Sequence, residues 1–251
     1  MPRGRSRGRG RSNPTAVPVA SPGPIPSTPT DPDFASVGLL MQSKGVSPGS
    51  QVFTDYSSNG HTLTAVNQVN HSDTQVKFNS TSAYFDGVDD AITLGGTSTL
   101  DFGSGDFTIE CWFYANSVQD GYIFSTKNYT GSVGVSFGIQ SNNKFRFTIG
   151  GSGTAYTLDS TTAYTALAWH HCAAVRSGST MYIYYNGNRL DSRACAGTIT
   201  ASATGFIAGE LVAFSANDIA GYLDEIRITK GVARYTGATY DVPTASFPTS
   251  A

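Results

Sequence analysis

The sequence predicts an all-β fold, an antiparallel sandwich of jelly-roll type carrying an extended N-terminal arm. Three observations carry this. Residues 61–249 divide into about thirteen short apolar or alternating runs at near-regular spacing, separated by turn residues and without a long helical period. The composition is turn-rich and weakly charged: 28 glycines in 251 residues, 12% aromatic and 14% charged, against a usual charged quarter. The stretch 169–193, WHHCAAVRSGSTMYIYYNGNRLDSR, reads as three consecutive strands joined by two tight turns.

Within that stretch, strands are expected at His171–Val175, Met181–Tyr185 and Asn188–Arg193. Asn186-Gly187 fits a type I′ turn, whose two central residues need positive φ, a conformation that Asn and Gly tolerate. A meander of this kind needs a second sheet over its apolar face.

The chain divides into residues 1–33, a basic and then Pro-rich arm; 34–60, a junction; and 61–251, the sandwich with an extended C-terminal end. Arg3, Arg5, Arg7, Arg9 and Arg11 alternate with Gly or Ser, and residues 13–33 hold seven of the eleven prolines. With no aromatic residue, the arm cannot bury enough surface to offset chain entropy, and its Pro-rich part is expected to be an extended spacer. Residues 1–33 carry +3, so the rest of the chain carries −5 of the net −2. The five arginines are the candidate partner-binding residues. They suit an acidic protein surface better than nucleic acid, because no aromatic residue is interleaved to stack on bases. No apolar h-region follows MPRGR, so the expectation is release by lysis and not by ordinary secretion. Apolar runs are only a few residues long, which excludes a membrane-spanning helix and membrane insertion by that route.

In the junction, Phe34, Val37, Leu39, Leu40 and Met41 form an apolar cluster that reads either as an edge strand or as a docking segment. Asp55 and Asn59 are candidate calcium ligands, but two oxygens fall short of the roughly six to eight that calcium takes. The alternative is an Asx-type turn closing on its own backbone. No other cofactor is expected.

In the sandwich, strands are expected at Thr62–Val66, Gln75–Phe78, Ala91–Leu94, Gly121–Ser125, Ala155–Leu158, Phe206–Ala208 and Leu211–Phe214. Phe107–Tyr114 is the strongest, with Phe107, Ile109, Cys111 and Phe113 on one face and Trp112 and Tyr114 on the other. Val133–Gln140 and Lys144–Ile149 form a hairpin in which Phe145, Phe147 and Ile149 point inward. Ala220–Ile228 alternates Tyr222, Asp224, Ile226 and Ile228 against Leu223, Glu225 and Arg227, and Lys230–Tyr235 reads as a turn of helix. Cys111, Cys172 and Cys195 lack metal-ligand spacing and read as buried free thiols; a Cys172–Cys195 disulfide is the lesser reading.

Several of these segments resemble the laminin G-like, or concanavalin A-like, jelly-roll domains. They are DxSxNG at 55–60, YFDGxDD at 84–90, FTIExW at 107–112, WHHxAxVRSGST at 169–180 with YxNG at 184–187, and GYLDEIRI at 221–228. KGVARY at 230–235 followed by Pro-rich residues is similar to the laminin G-like domains of tailed-phage structural proteins. The resemblance implies a virion protein, a decoration or a fibre- or tail-associated adhesion protein. Its arm would dock on capsid or tail proteins and its sandwich would touch host surface glycans. A free-standing lectin is the alternative, and a glucanase-like hydrolase ranks below it.

The residues argue against catalysis. A glycosidase needs two carboxylates about a sugar bond, and Asp224 and Glu225, adjacent on a strand, are expected on opposite faces. Glu110 and Glu210 have no carboxylate at i+2. His170 and His171 are expected to diverge, one inward and one to solvent, and no Gly-x-Ser-x-Gly elbow or phosphate loop accompanies them. Tyr129, Tyr156 and Tyr164 lie in or near loops and could stack on sugars, although most such tyrosines cap a core.

Overall fold

The structure, a computed structural model, describes Met1 and residues 30–126, 134–151, 154–199, 204–209 and 218–251. The arginines at 3, 5, 7, 9 and 11, Tyr129, Glu210 and the strand expected at 211–214 lie outside these residues. Strands β1 (Val37–Met41), β2 (Leu63–Val66), β3 (Asn70–Ser72), β4 (Ser82–Asp86) and β5 (Ala91–Leu94) come first. They are followed by β6 (Phe107–Ala115), β7 (Gly121–Ser125), β8 (Gly134–Ile139), β9 (Phe145–Gly151) and β10 (Thr154–Asp159). The meander is β11 (Trp169–Ser177), β12 (Thr180–Tyr185) and β13 (Asn188–Ala194), and β14 (Gly205–Ile207) and β15 (Ala220–Lys230) close the series.

Among the described residues these strands form two antiparallel sheets. One runs β13-β12-β11-β6-β15-β4-β3, with β1 also on β15; the other runs β10-β9-β8-β7-β14-β5-β2. The core lies between them. Phe107, Ile109, Cys111 and Phe113 of β6 meet Phe145, Phe147 and Ile149 of β9 in one cluster, as their alternation predicts. Asn186 and Gly187 both have positive φ, 45° and 82°, in the two-residue turn joining Tyr185 to Asn188. The three thiols are free and buried. Among the described residues no helix is long and apolar enough to cross a membrane.

Val37–Met41 enters the sandwich as a strand: Leu39 and Met41 reach the core, while Val37 and Leu40 pack outward against Phe247. Asp55 accepts from the amides of Leu40, Ser57 and His61 and from the Ser57 hydroxyl, so it closes a turn and pins β1.

Three expectations need correction. Gln75–Phe78 is a bend, not a strand; the strand of that region is β3, too short and polar to show an apolar period. Lys230–Tyr235 forms no helical turn, because β15 continues through Lys230 and Gly231 then turns at φ 83°. The alternation of β15 breaks at Asp224–Glu225, where Glu225 takes φ 53° in a bulge against β6. The bulge sits where the neighbour of β15 changes from β4, paired to residues 220–223, to β1, paired to residues 226–229. Leu223, Ile226 and Ile228 therefore face the core, and Asp224, Glu225 and Arg227 do not.

Candidate functional site

The outward face of the larger sheet carries the chemistry. Because β6 alternates, Trp112 and Tyr114 point away from the core that Cys111 and Phe113 enter. The ladders bring other aromatic residues into line with Tyr114. Trp169 of β11 stands opposite it on one side and Tyr222 of β15 on the other, and Tyr84 of β4 stands opposite Tyr222. Ring centroids are 5.8 Å apart for Trp169–Tyr114, 5.8 Å for Tyr114–Tyr222 and 5.0 Å for Tyr222–Tyr84. Interplanar angles of 59°, 81° and 42° make the row corrugated, not flat. Tyr222 is buried in the middle of the row; Trp169, Tyr114 and Tyr84 are half-buried.

One step along the strands is a second row, His171–Trp112–Asp224. Lys77 places its ammonium 3.5 Å from the Trp112 ring centroid, and Phe78 meets the same ring edge-on at 5.7 Å. Asp224 is buried, and burial followed by the neighbouring charge of Glu225 raises its pKa to about 7. Among the described residues the indole N–H groups of Trp112 and Trp169 are buried without an acceptor.

Further along, the same face is closed by the two chain ends. Glu110 accepts from Arg227 at 2.9 Å and from the Tyr235 hydroxyl at 2.6 Å. Burial alone would raise its pKa; Arg227, His171 and Tyr235 together hold it down at about 2. Asp31 pairs with Arg227 at 2.9 Å and Arg234 at 2.8 Å. Phe247 lies 3.7 Å over the Arg227 guanidinium, and Tyr235 stacks on Tyr240 at 3.8 Å. Burial pushes the Tyr240 hydroxyl strongly up; that hydroxyl is hydrogen-bonded to Nδ1 of His171, and Nε2 lies toward Glu110 at 3.4 Å.

Both histidines are buried, which corrects the expectation that one faces solvent. His171 points outward but lies beneath Tyr240, and His170 is held by Thr165 and Tyr185. Asp224 and Glu225 do not diverge across the sheet, since the bulge turns both away from the core. Glu225 is nonetheless saturated by Gln42, Asn79, Ser246 and the amide of Phe247. Such a carboxylate holds structure together and offers no free oxygen to a sugar bond. Of the tyrosines singled out from sequence, Tyr164 is a core residue and Tyr156 packs against the core from β10. The aromatic row was missed, although Trp112 and Tyr114 on the non-core face of the strongest strand were its visible part.

The family model described as the concanavalin A-like lectin/glucanases superfamily matches residues 85–234. The chain belongs to this superfamily. This concanavalin A-like chain is similar to the binding domain of Paraclostridial Mosquitocidal Protein 1, at 14% identity and TM-score 0.64, covering 80% of this chain and 50% of that one. It is also similar to the binding domain of botulinum neurotoxin DC in complex with SialylT, at 16% identity and TM-score 0.56, covering 80% and 49%. A third such structure is that binding domain in complex with rat synaptotagmin II, at 16% identity and TM-score 0.56, covering 79% and 49%. At these identities the likeness shows the fold, and the chain spans about half the length of the domains it matches. These solved neighbours are binding domains. Comparison with curated proteins returns no match.

Proposed function

We propose that this chain is a non-enzymatic glycan-binding protein of a bacteriophage particle, a decoration or a fibre- or tail-associated adhesion protein. The observation that carries the binding role is the row Trp169–Tyr114–Tyr222–Tyr84, four aromatic rings in register across four strands, of which Trp169, Tyr114 and Tyr84 are partly exposed. Pyranose rings offer C–H faces that pack on aromatic rings, and strands spaced about 4.8 Å apart set the partly exposed rings of Trp169, Tyr114 and Tyr84 in one line for such packing, with Tyr222 beneath them. That similar binding domains have been solved in complex with SialylT and with rat synaptotagmin II supports a binding role in general.

The arm supplies attachment. Arg3, Arg5, Arg7, Arg9 and Arg11 are proposed to dock on an acidic surface of a capsid or tail protein. Asp31, at the root of the arm, is fixed to Arg227 and Arg234 near the Glu110 end of β6, and the aromatic row crosses β6 at Tyr114. Four residues of strand, roughly 13 Å, separate the two. An anchored arm would therefore leave the row free.

A glycan array probed with full-length protein tests the binding role. Saturable binding that Trp169→Ala weakens is expected, and absence of any glycan signal overturns it. Co-sedimentation of the chain lacking residues 2–29 with intact particles tests attachment; retention equal to the full chain removes the role of the arm.

A further inference from the structure

Beside the aromatic row stands a cation that no carboxylate reaches among the described residues. The Lys77 ammonium rests on Trp112, forms no ion pair within 4 Å and donates no hydrogen bond among the described residues. It has three N–H donors, and the faces of Trp112 and, at 5.3 Å, Phe78 give them no hydrogen-bond acceptor of the usual kind. The indole N–H groups of Trp112 and Trp169 and Oδ2 of Asp224 also lack partners among the described residues, but all three are buried, so the ammonium is the group left for a ligand. Nearby carboxylates do not pair with it. Asp86 accepts from the amide of Val88, and Asp90 from the amides of Gln68 and Asp86. The buried Asp224 attracts Lys77 without contacting it, and burial lowers the Lys77 pKa more than Asp224 restores it.

We infer that the glycan taken by this site carries an anionic group, a carboxylate or sulfate, which the Lys77 ammonium binds while the sugar ring lies on the aromatic row. This rests on the glycan-binding reading above and adds the class of sugar. The geometry allows it: Trp112 and Tyr114 are two residues apart on one strand face, about 7 Å, so a substituent on a ring seated at Tyr114 reaches the ammonium above Trp112. A partly desolvated cation on a ring face gains more from an anion than an exposed one does, because solvent screens it less. Corrugation selects further. A crystalline polysaccharide face needs coplanar rings, whereas planes at 59°, 81° and 42° suit a single chain that can turn from one sugar to the next.

The test uses full-length protein and calorimetry with three probes: a uronic-acid oligosaccharide, the same oligosaccharide with its carboxyls reduced to alcohols, and a sulfated counterpart. Wild type is expected to bind the uronic-acid form at least tenfold more tightly than the reduced form, with the gap narrowing as salt rises. K77M keeps the apolar stem on Trp112 and removes the charge. It should bring the ratio of the two affinities to about one, and K77R should retain the preference. The sulfated probe separates a requirement for charge from one for a planar carboxylate. Equal binding of the uronic-acid and reduced forms by wild type overturns the inference and leaves the glycan-binding reading standing, as does a preference that survives in K77M. No binding of any probe overturns the inference, and the glycan array decides the broader reading. Lys77 is partly exposed, so K77M is expected to fold; the wild-type comparison decides the question if it does not.

Discussion

Tyr222 stands directly opposite Tyr114 on the β15–β6 ladder, with ring centroids 5.8 Å apart and ring planes at 81°. The pair is the hinge point of the aromatic row, since Trp169 continues it from Tyr114 and Tyr84 from Tyr222. The ends and the middle should respond differently to truncation. Trp169→Ala and Tyr84→Ala remove half-buried rings and should each weaken glycan binding by about 1 kcal/mol, roughly fivefold, with small change in melting. Tyr222→Ala should also cost about 3 kcal/mol of stability, because its ring is buried. Calorimetry paired with thermal melting separates the two effects.

Gly221 lies beside that pair, and a Cβ built there falls inside van der Waals contact with the Tyr114 carbonyl oxygen. The obstacle is backbone, which cannot rotate away. Gly221→Ala should push β15 from β6, destabilise the protein by about 1–3 kcal/mol, and weaken glycan binding by disturbing the row. Unchanged melting and unchanged affinity would count against this packing.

Glu110 is buried and ionised, with a pKa held at about 2 against an ordinary 4.5. A folded value below the unfolded one gives stability that is complete above about pH 4.5 and lost as pH falls toward about 2. Glu110→Gln should remove that acid-limb slope. It should also cost about 3–5 kcal/mol at neutral pH, because Arg227 would lose a buried partner. Urea titrations at several pH values read both.

Asp224 has the opposite sign. Its folded value of about 7 lies above the ordinary 3.8, so its contribution is full below about pH 4 and falls away as pH rises to about 7. Asp224→Asn should flatten stability across that window and leave the variant more stable than wild type at pH 8, by a few kcal/mol. Lower stability of the variant at pH 8 would show that the carboxylate is ionised and paired there.

Cys111 and Cys172 face each other across the β6–β11 ladder with sulfurs 3.6 Å apart, and burial pushes the Cys172 thiol well up. Cys195 is buried as well. None of the three should react with an alkylating reagent in the folded protein, and three should react after denaturation.

Alternation made the two-sheet core readable, since Phe107, Ile109, Cys111 and Phe113, and Phe145, Phe147 and Ile149, sort themselves by period. The Asn186-Gly187 turn was readable because few residues accept its φ values. The bulge at Glu225 was not: it depends on a change of neighbouring strand that no local pattern encodes, and it alone overturned the assignment of Asp224 and Glu225 to opposite faces. The burial of His171 was hidden for a similar reason, because the residues covering it, Tyr235 and Tyr240, lie more than sixty positions away in the chain. The aromatic row needed the register of three ladders, each set by long-range pairing.

The Asp31 amide donates to the Ser250 carbonyl at 3.0 Å, and the Asp31 carboxylate holds Arg227 on β15, a strand flanked by β6 on one side and by β4 and β1 on the other. A pull on residues before Asp31 would thus be carried into the middle of the sheet and shared among several ladders at once, instead of peeling away an edge hairpin one bond at a time. Single-molecule stretching from the N-terminus should therefore meet its first resistance at the Asp31 contacts, before any strand leaves the sheet.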